Sequence, residues 1–520
     1  SAYILKLLKI RKMKNKYLMF AAMAAVMGLS SCDMDKTPYD SLIDTEALQT
    51  VTDFKNIRSG IYSGLRSCIG GTFYNSTEIQ SGYFNAVSGF TNTYGDMYYW
   101  NFNSQSQDFD GIYGSYQAII ARANYIIDGY NKCSFADKEQ FTDAVMKNTI
   151  NPIKGEAYFA RAYAIFMLSQ YFSPAYSETT ANEPNTGVSY SLTYAPSSNQ
   201  SSYPGRNTLA ETYQRVSDDL DDAAKLVAAK GEASSAYVTQ DAINALRARM
   251  ELNRGNYKKA ADIAKDLIEG GNYALAADKA DLEDIFYNDG GMETILQMVS
   301  ASASELPLST GGHFQIAEKG GVPDYVPTQA LMDLYSDKDY RKPVYFNNIN
   351  VSTADGASAS VYALNKYPDQ GGLYKKYGSS ARFTSEPKVF RIAEMYLIAA
   401  EGYAMSDDLG TASIYLNQLQ ENRIKGFTDV TYTSKDDIMA EIKNERAREF
   451  VGEGMHLFDL KRWHEGVKRG TPQDLSICLL PGANTTELDK PADSHLMTWP
   501  IPRHELDVNP QIKQNPGYNK

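Results

Sequence analysis

The sequence predicts a mainly α-helical protein, in which tetratricopeptide-like helical hairpins stack as a partial α-solenoid, with long irregular loop insertions and little β-structure. Three observations support this fold class. Apolar residues recur every three or four positions over several segments, which is the period of an amphipathic helix. The spacing of Ala260, Ala264 and Leu267 returns at 412–419. Two long stretches rich in glycine, serine and tyrosine interrupt the helical segments without a helical period.

Four helices are predicted in the first half of the chain. Asp53 is suited to be an N-cap, and the apolar residues after it keep a helical spacing as far as Leu65. Residues 109–130 repeat a 4-3 spacing, and 209–227 have a narrow apolar stripe that would face another helix. Residues 153–172 are apolar almost all round, which predicts a buried helix.

The repeated pattern in the second half predicts helical hairpins. In each case a predicted helix precedes the repeat, at 239–253 for the first copy and at 388–404 for the second. The small residues of the repeat would allow two helices to approach closely, while the large residues fill the groove between them. Helix pairs that stack in this way form a solenoid.

The two interrupting stretches are candidates for the functional part of the chain. Residues 70–103 alternate aromatic residues with glycine, serine, asparagine and threonine, and 270–385 lie between the two predicted hairpins. Loops of this length in a compact protein are usually functional or disordered. A loop as aromatic as 70–103 is a poor candidate for disorder, so we expect it to be structured.

The N-terminal segment has the features of a lipoprotein export signal. Basic residues precede an apolar run at 17–28, which is too short to cross a bilayer as a helix. The sequence then resembles a bacterial lipobox ending at Cys32, which implies cleavage before this residue and acyl chains, palmitate among them, attached to it. More than one chain gives stable anchoring. We therefore predict a signal peptide at 1–31 and a lipidated tether at 32–52. Residues 1–12 precede Met13, and we expect them to belong to an over-extended gene model.

Composition argues against several classes of function. The formal net charge is −12, and an acidic protein repels nucleic acid, so no nucleic-acid partner is expected. Apart from Cys32, the cysteines are Cys68, Cys133 and Cys478, whose spacing suits neither a disulfide framework nor a zinc site. The histidines are scattered, and no hydrolase, metalloprotease or phosphate-loop motif is present. We expect no catalytic residue, no metal and no cofactor.

Four motifs resemble a known family. Residues 445–463 look like the signature of the SusD/RagB family, and 499–518, which begin Trp-Pro-Ile-Pro, resemble its C-terminal end. Residues 155–163 and 391–397 are similar to internal helices of that family. The motifs stand in the expected order and, with the lipobox, span nearly the whole mature chain. The resemblance implies a single SusD-like helical domain at 53–520.

The resemblance also implies a function and a location. Members of this family are lipoproteins on the outer face of the Gram-negative outer membrane. They cap a SusC-like TonB-dependent transporter, which imports the oligosaccharides that they capture. The chain is therefore expected to be lipid-anchored to the cell outer membrane, to face the exterior, and to deliver an oligosaccharide or polysaccharide to such a transporter.

Two other functions remain open from the sequence. A glycoside hydrolase needs two carboxylates about 5–9.5 Å apart across a cleft. The 63 acidic residues do not exclude such a pair, although no catalytic constellation is recognisable. A peptide-binding member of the same fold is the second alternative, because an aromatic cleft also suits an extended peptide.

Two charge-rich motifs favour a structural interpretation over a catalytic one. Charges within 445–463 stand beside apolar residues, where they normally form buried ion pairs, and Glu394 and Glu401 are natural partners for them. The acidic cluster at 218–222 would be spread around a helix, whereas a calcium site supplies roughly 6–8 oxygens from a loop. We expect internal ion pairs in the first motif and a solvated face in the second.

The candidate ligand site is the loop 70–103, which we expect to face the insertion 270–385. Sugars present C–H patches beside hydroxyl groups, so a site needs flat rings edged by hydrogen-bonding groups, and Tyr and Trp supply such rings at low entropy cost. The candidate residues combine both types: Trp100, Tyr94, Tyr98, Tyr99, Asn92, Asp96 and Asn101 in the loop, and Tyr325 and Phe314 in the insertion. The alternative is that these rings only pack the loop onto the helical body.

Overall fold

The computed structural model describes residues 48–136, 138–316, 321–479 and 488–519. The fold given below is that of the compact unit Thr50–Lys520. The predicted signal peptide at 1–31, the lipidation site Cys32 and the tether as far as residue 47 lie outside the described residues. None of the described helices is long and apolar enough to cross a membrane.

Helices account for most of the regular structure in the described chain. They are α1 (Val51–Ser67), α2 (Thr72–Gln80), α3 (Gly95–Tyr98), α4 (Gln107–Lys132), α5 (Asp143–Val145), α6 (Asn151–Phe172), α7 (Leu209–Leu226), α8 (Gln240–Arg254), α9 (Tyr257–Glu269), α10 (Lys279–Asn288), α11 (Gln329–Asp333), α12 (Lys342–Tyr345), α13 (Gly372–Tyr377), α14 (Ile392–Met405), α15 (Leu409–Glu421), α16 (Lys435–Phe450), α17 (His456–Arg462) and α18 (Arg503–Val508).

The strands are short and pair in antiparallel twos. They are β1 (Phe84–Ala86), β2 (Thr294–Gln297), β3 (Tyr325–Pro327), β4 (Phe346–Ser352), β5 (Ser358–Leu364) and β6 (Lys388–Arg391). The pairs are β1 with β3, β2 with β6 and β4 with β5. The prediction of a mainly α-helical fold with little β-structure is confirmed.

The helices predicted from apolar spacing are present, with small differences at their ends. The first helix begins one turn earlier than expected, because its N-cap is Thr50 and not Asp53. The Thr50 hydroxyl accepts a hydrogen bond from the Asp53 amide at 3.1 Å, and the Asp53 carboxylate accepts one from the Thr50 amide at 2.7 Å. This reciprocal capping box satisfies two amides that the helix itself leaves unpaired.

The repeated pattern does form stacked hairpins. Helices α8 and α9 make one hairpin, α14 and α15 make the second, and α9 packs along α14. A Cβ atom added to Gly402 would lie 2.4 Å from the Tyr257 carbonyl oxygen and 2.8 Å from the Ala261 Cβ. Only a glycine at this position lets α14 approach α9 so closely. Gly402 is not one of the small residues of the predicted repeat, but Ala260, Ala264 and Ala412 of that repeat are buried in α9 and α15.

The helices of the first half pack in sequence around α6. Helix α1 contacts α4, α4 contacts α6, and α6 contacts α7. Residues 159–172 of α6 are buried on every side, as predicted for a helix without a polar face. At Gly155 an added Cβ would lie 2.8 Å from Val227, so α6 and α7 also meet at a small residue.

A cluster of buried charges joins α16 to three separate parts of the chain. The Glu449 carboxylate accepts hydrogen bonds from Arg391 at 2.7 Å, from Arg341 at 3.0 Å and from Arg423 at 3.0 Å. All four side chains are almost fully buried. Burial alone would raise the pKa of Glu449, but the three guanidinium groups hold it well below its usual range. The predicted internal ion pairs are confirmed.

The predicted partners of this motif are correct for one glutamate and wrong for the other. Glu401 accepts hydrogen bonds from Arg462 at 2.8 Å and from the indole of Trp463 at 2.8 Å. Glu394 instead pairs with Arg249 of α8, at 2.6 Å, and so joins the two hairpins. The two glutamates lie on one helix, but Glu394 pairs with α8 whereas Glu401 pairs with the C-terminal end of α17.

The acidic cluster of α7 is only partly solvated, so this prediction is wrong for one residue. Asp219 is fully buried and accepts hydrogen bonds at 2.8 and 2.7 Å from Arg161, while Arg215 lies 2.9 Å away. Asp221 remains exposed. Among the described residues, no group of three or more histidine, cysteine, aspartate or glutamate side chains is placed to hold a metal ion.

The two predicted loop regions contain short regular elements as well as irregular chain. Within 70–103, α2 is buried on nearly every side, and residues 75–80 are all buried although most are polar. Such a helix has no exposed face and therefore no apolar period in its sequence. Within 270–385, β4 and β5 form a hairpin in register from Phe346↔Leu364 to Ser352↔Ser358.

Candidate ligand-binding site

Two short strands bring the two loop regions together. Phe84 of β1 lies opposite Pro327 of β3, and Ala86 lies opposite Tyr325. Because the strands are antiparallel, the chain that leaves β1 meets the chain that enters β3, and the Val87 amide donates to the Asp324 carbonyl at 3.0 Å. The candidate site lies just beyond this junction, in residues 87–103, which we name the aromatic loop.

The backbone of the aromatic loop is held in an unusual conformation. Asn92, Tyr94 and Trp100 have positive φ angles of 64°, 59° and 56°. Left-handed backbone is uncommon for residues other than glycine and costs about 1–3 kcal/mol at each position. It persists only where surrounding contacts enforce it, and it is frequent at ligand-binding sites. The contacts that enforce it here come from buried rings and from one aspartate.

The buried rings lie beneath the loop. Tyr98, Tyr325 and Phe314 are fully buried. The Tyr325 hydroxyl donates to the Thr93 carbonyl at 2.5 Å, and the Phe314 ring packs 4.8 Å from that of Phe84. These three predicted binding residues therefore present no ring face to a ligand in this conformation, because each fills the space between the loop and the core.

Trp100 also lies inside the loop. Its side chain is buried, with 5% of its surface exposed, and its ring packs 6.2 Å from that of Phe102. The ammonium group of Lys490 lies 5.8 Å from the centre of the indole. Within the described chain the indole Nε1 has no hydrogen-bond acceptor, and a buried donor left unpaired costs about 1–3 kcal/mol.

The other predicted residues remain at the surface. Asn92, Asp96 and Asn101 are exposed, whereas Tyr94 and Tyr99 are half-buried. Tyr99 packs edge-to-face on the buried Tyr98 ring, with 4.9 Å between ring centres. The loop therefore presents two partly open tyrosine rings beside three exposed polar side chains, and this is the composition that a sugar site requires.

Sequence reasoning did not identify the residues that hold the loop in place. Asp324 is buried and accepts hydrogen bonds from the Thr91 amide at 2.6 Å, from the Thr91 hydroxyl at 2.9 Å and from His313 Nδ1 at 2.6 Å. The His313 ring then packs edge-to-face on Tyr94, at 5.2 Å. No local motif marks this set, because it depends on the pairing of β1 with β3.

The same contacts bear on the chemistry available at the site. Burial alone would raise the pKa of the Asp324 carboxyl, but hydrogen bonds from His313 and Thr91 hold it below its usual range. Both carboxylate oxygens are already engaged by the loop. Asp324 is therefore ionised and committed to positioning Thr91 and His313, and it is not free to act as an acid or a base on a substrate.

Two family profiles match most of the chain. Residues 345–518 match a profile described as SusD family, and 34–252 match one described as "Starch-binding associating with outer membrane". The chain is also similar to SusD-like protein P2 from Formosa agariphila, with 24% identity over 453 residues, which cover 77% of this chain and 79% of that protein. A second protein of this organism, SusD-like protein P25, is 31% identical over 134 residues, or 25% of this chain and 24% of its own length.

Solved structures share the fold. A putative sugar binding protein from Bacteroides vulgatus has a TM-score of 0.73 at 24% identity, covering 91% of this chain and 100% of that chain. A SusD superfamily protein from Bacteroides thetaiotaomicron also has a TM-score of 0.73, at 23% identity, covering 90% of this chain and 100% of that chain. Sequence identity this low shows the common fold and leaves the ligand of this chain to be argued from its own residues.

Proposed function

Because this chain belongs to the SusD-like family, we propose that it is a surface carbohydrate-binding protein, which captures an oligosaccharide or polysaccharide and delivers it to a SusC-like TonB-dependent transporter. The descriptions of the matching family profiles and of the solved relatives support carbohydrate binding and association with the outer membrane. In this proposal the chain is not an enzyme and needs no cofactor.

One observation supports the location of the binding site. The aromatic loop presents the half-buried rings of Tyr94 and Tyr99 between the exposed side chains of Asn92, Asp96 and Asn101. A pyranose ring stacks its C–H face on such a ring, while its hydroxyl groups meet hydrogen-bonding groups at the edge. In this proposal these five residues contact the sugar.

The buried rings of the loop have a supporting role in this proposal. Trp100, Tyr98, Tyr325 and Phe314 fill the space below the loop, and they fix the positions of the two tyrosines above them. A site built in this way is preorganised, so that little conformational freedom is lost when the sugar binds.

The anchoring and the partner are supported from the sequence. Cys32, in its lipobox context, would attach the mature protein to the outer membrane, facing the exterior, through two or more acyl chains. Surface labelling of intact cells tests this step: the Cys32→Ala protein should be lost from the surface. Labelling at the wild-type level would contradict the anchor, and affinity purification from solubilised membranes should recover a transporter barrel with the wild type.

Calorimetry tests the binding itself. We would titrate the protein with maltoheptaose, laminarihexaose, mannohexaose and an extended peptide, and compare the wild type with Tyr94→Ala and Tyr99→Ala. Loss of a stacking ring should weaken sugar binding by about 1–3 kcal/mol, on the scale of base–aromatic stacking. Tyr237→Ala is the matched control, since Tyr237 is 50% exposed and lies just before α8.

Three results would contradict the proposal. Binding of the peptide but of no sugar would assign a different ligand, and equal sugar affinity in all variants would move the site away from the aromatic loop. New reducing ends after incubation with the sugars would show hydrolysis and would contradict a function restricted to binding.

A further inference from the structure

A second surface feature has the composition of a sugar site. It is a groove of about 740 Å³ between α16, α17 and the turn at 81–83, and we name it the α17 groove. We propose that the α17 groove is a second carbohydrate subsite, which takes neutral sugar rings through Tyr83, His456 and the polar side chains beside them. The inference rests on the proposed function, because it adds a subsite to the same binding activity.

The α17 groove is separate from the aromatic loop. None of the described residues that line it belongs to 87–103. Its volume lies within the range of about 300–1,000 Å³ that is usual for ligand clefts. The groove can therefore be disturbed by substitutions that leave the aromatic loop unchanged.

A stacked pair of rings forms one wall of the groove. The Tyr83 and His456 rings lie nearly parallel, with 4.1 Å between their centres and 19° between their planes, and both are partly exposed. Burial lowers the pKa of His456 to about 4, so the imidazole is neutral at pH 7. The pair presents a flat, uncharged and rigid surface, which is the kind of platform that sugar rings use.

The turn that places Tyr83 is fixed by backbone contacts. Gly82 has φ of 100°, and a Cβ atom there would lie 2.3 Å from the Lys468 carbonyl oxygen, so only glycine fits. The Gly470 amide donates to the Gly82 carbonyl at 3.2 Å, and the Thr328 amide donates to the Tyr83 carbonyl at 2.8 Å. The Tyr83 ring is thus held in place before any ligand arrives.

Trp463 forms a second aromatic wall at the end of α17. It is partly exposed, and its Nε1 donates to Glu401 at 2.8 Å, which fixes the orientation of the indole. This explains why a residue within the family signature is not simply core: its polar edge is anchored in the ion-pair network, while part of the ring lines the groove.

Polar groups around the groove are available to a ligand. Within the described chain, no hydrogen bond engages the side chains of Asp436, Asn444 or Lys468, and all three line the groove. The remaining charges, Lys443 and Glu465, pair with each other. Two acids and two lysines leave the groove without net charge, which favours a neutral sugar over an anionic polymer.

Hydrogen–deuterium exchange with mass spectrometry locates the ligand directly. The probe is whichever neutral oligosaccharide the wild type binds best among maltoheptaose, laminarihexaose and mannohexaose. We expect it to slow exchange in peptides that span 81–83 and 456–468 as well as in the aromatic loop. The double variant Asn444→Ala/Lys468→Ala should lose the protection of the groove and keep that of the aromatic loop, with affinity at the groove reduced at least fivefold.

Further variants keep the test decisive. Tyr83→Ala should have the same effect, and if its melting temperature shows that it does not fold, the double variant decides because its side chains stand at the surface. Lys425→Ala is the matched control, since Lys425 is an exposed lysine that does not line the groove. Tyr99→Ala should give the reverse pattern, with protection lost in the aromatic loop and kept in the groove.

The outcomes separate this inference from the function on which it rests. Protection in neither region, with no heat of binding, would overturn the proposed function. Protection of the aromatic loop alone, unchanged in the double variant, would show that the α17 groove does not bind sugar. The proposed function would then still stand. Protection of the groove by an anionic alginate oligosaccharide, but by no neutral one, would overturn its assignment to neutral sugars.

Discussion

The motif at 445–463 and the aromatic loop show opposite relations between composition and role. The motif is dense in charge and looks catalytic, but its charges are mostly buried in ion pairs, many of them with distant parts of the chain, as Glu449 is paired with Arg341, Arg391 and Arg423. The aromatic loop looks like packing material, and half of its predicted rings are buried, yet it also presents open tyrosines and unhindered polar groups. In this fold, charge density marks a structural joint, whereas we propose that the strained aromatic turn marks the ligand-binding surface.

The largest expected effect distinguishes the two regions by stability. Glu449→Gln should destabilise the fold by about 3–5 kcal/mol, because it removes the one carboxylate that three buried guanidinium groups share, although each keeps another acidic partner. Chemical denaturation would measure the loss, and sugar affinity of the folded fraction should stay at the wild-type level. Glu421→Gln, at an exposed position of α15, is the control and should change stability by less than about 0.5 kcal/mol. A loss below about 1 kcal/mol at Glu449 would contradict the structural role.

The sequence predicts amphipathic elements well and fully buried ones poorly. Helices α4 and α7 are recognisable because one face is apolar and the other is polar and exposed to solvent. Helix α2 is not, because Asn75 and Glu78 are buried beside Phe73 and no period survives. Ion-pair partners are predicted only in part: Glu401 pairs with the motif at 445–463 as expected, but Glu394 pairs with Arg249, which is 145 residues away. Asp219 can be buried within an acidic cluster because Arg161 of α6 and Arg215 both pair with it.

The same distinction applies to the candidate site. Composition alone makes the aromatic loop the candidate, since its rings and amides are visible in the sequence. Whether a ring of the loop is exposed or buried depends on the backbone conformation. The left-handed conformation of Trp100 accompanies a buried indole. Asp324 and His313, which hold the loop, are brought next to it by the pairing of β1 with β3.

The second prediction concerns Trp100 as a buried ring. Trp100→Ala should destabilise the protein by roughly 3 kcal/mol, as truncation of a buried aromatic does, and should weaken sugar binding because the tyrosines above it lose their support. Chemical denaturation would measure the loss of stability, and calorimetry the loss of affinity. If affinity fell while the free energy of unfolding from chemical denaturation stayed within about 0.5 kcal/mol of the wild type, Trp100 would contact the sugar directly and would belong with the exposed rings.

The third prediction concerns the pH dependence of stability at the contact between α2 and the motif at 445–463. Glu78 of α2 is buried, and its carboxylate accepts a hydrogen bond from the Gly454 amide at 2.9 Å. Its second oxygen has no hydrogen-bond partner within the described chain. Burial raises its pKa from 4.5 to about 7, although backbone hydrogen bonds oppose the shift. The folded state therefore binds more protons than the unfolded state between pH 4.5 and 7, and the contribution of Glu78 to stability falls as the pH rises through this window.

Glu78→Gln should remove this dependence, because glutamine stays uncharged. The variant should melt a few degrees above the wild type at pH 8, and the difference should shrink as the pH falls toward 4.5. Glu183→Gln, at an exposed position, is the control and should show no such trend. A difference that is constant from pH 4.5 to 8 would show that the Glu78 carboxyl does not take up a proton on folding in this range.

The smallest effect is expected for Trp100→Phe, which tests whether the indole N–H contacts the ligand. Phenylalanine keeps a flat ring beneath the aromatic loop but removes the indole N–H, which has no acceptor within the described chain. Loss of this unpaired donor offsets the lost contacts of the larger ring, so Trp100→Phe should change stability by less than about 1 kcal/mol and leave sugar affinity within about twofold. Calorimetry beside Trp100→Ala makes the comparison. A large loss of affinity with Phe at unchanged stability would mean that the indole N–H reaches the ligand, and the ring would then lie above the loop when sugar is bound.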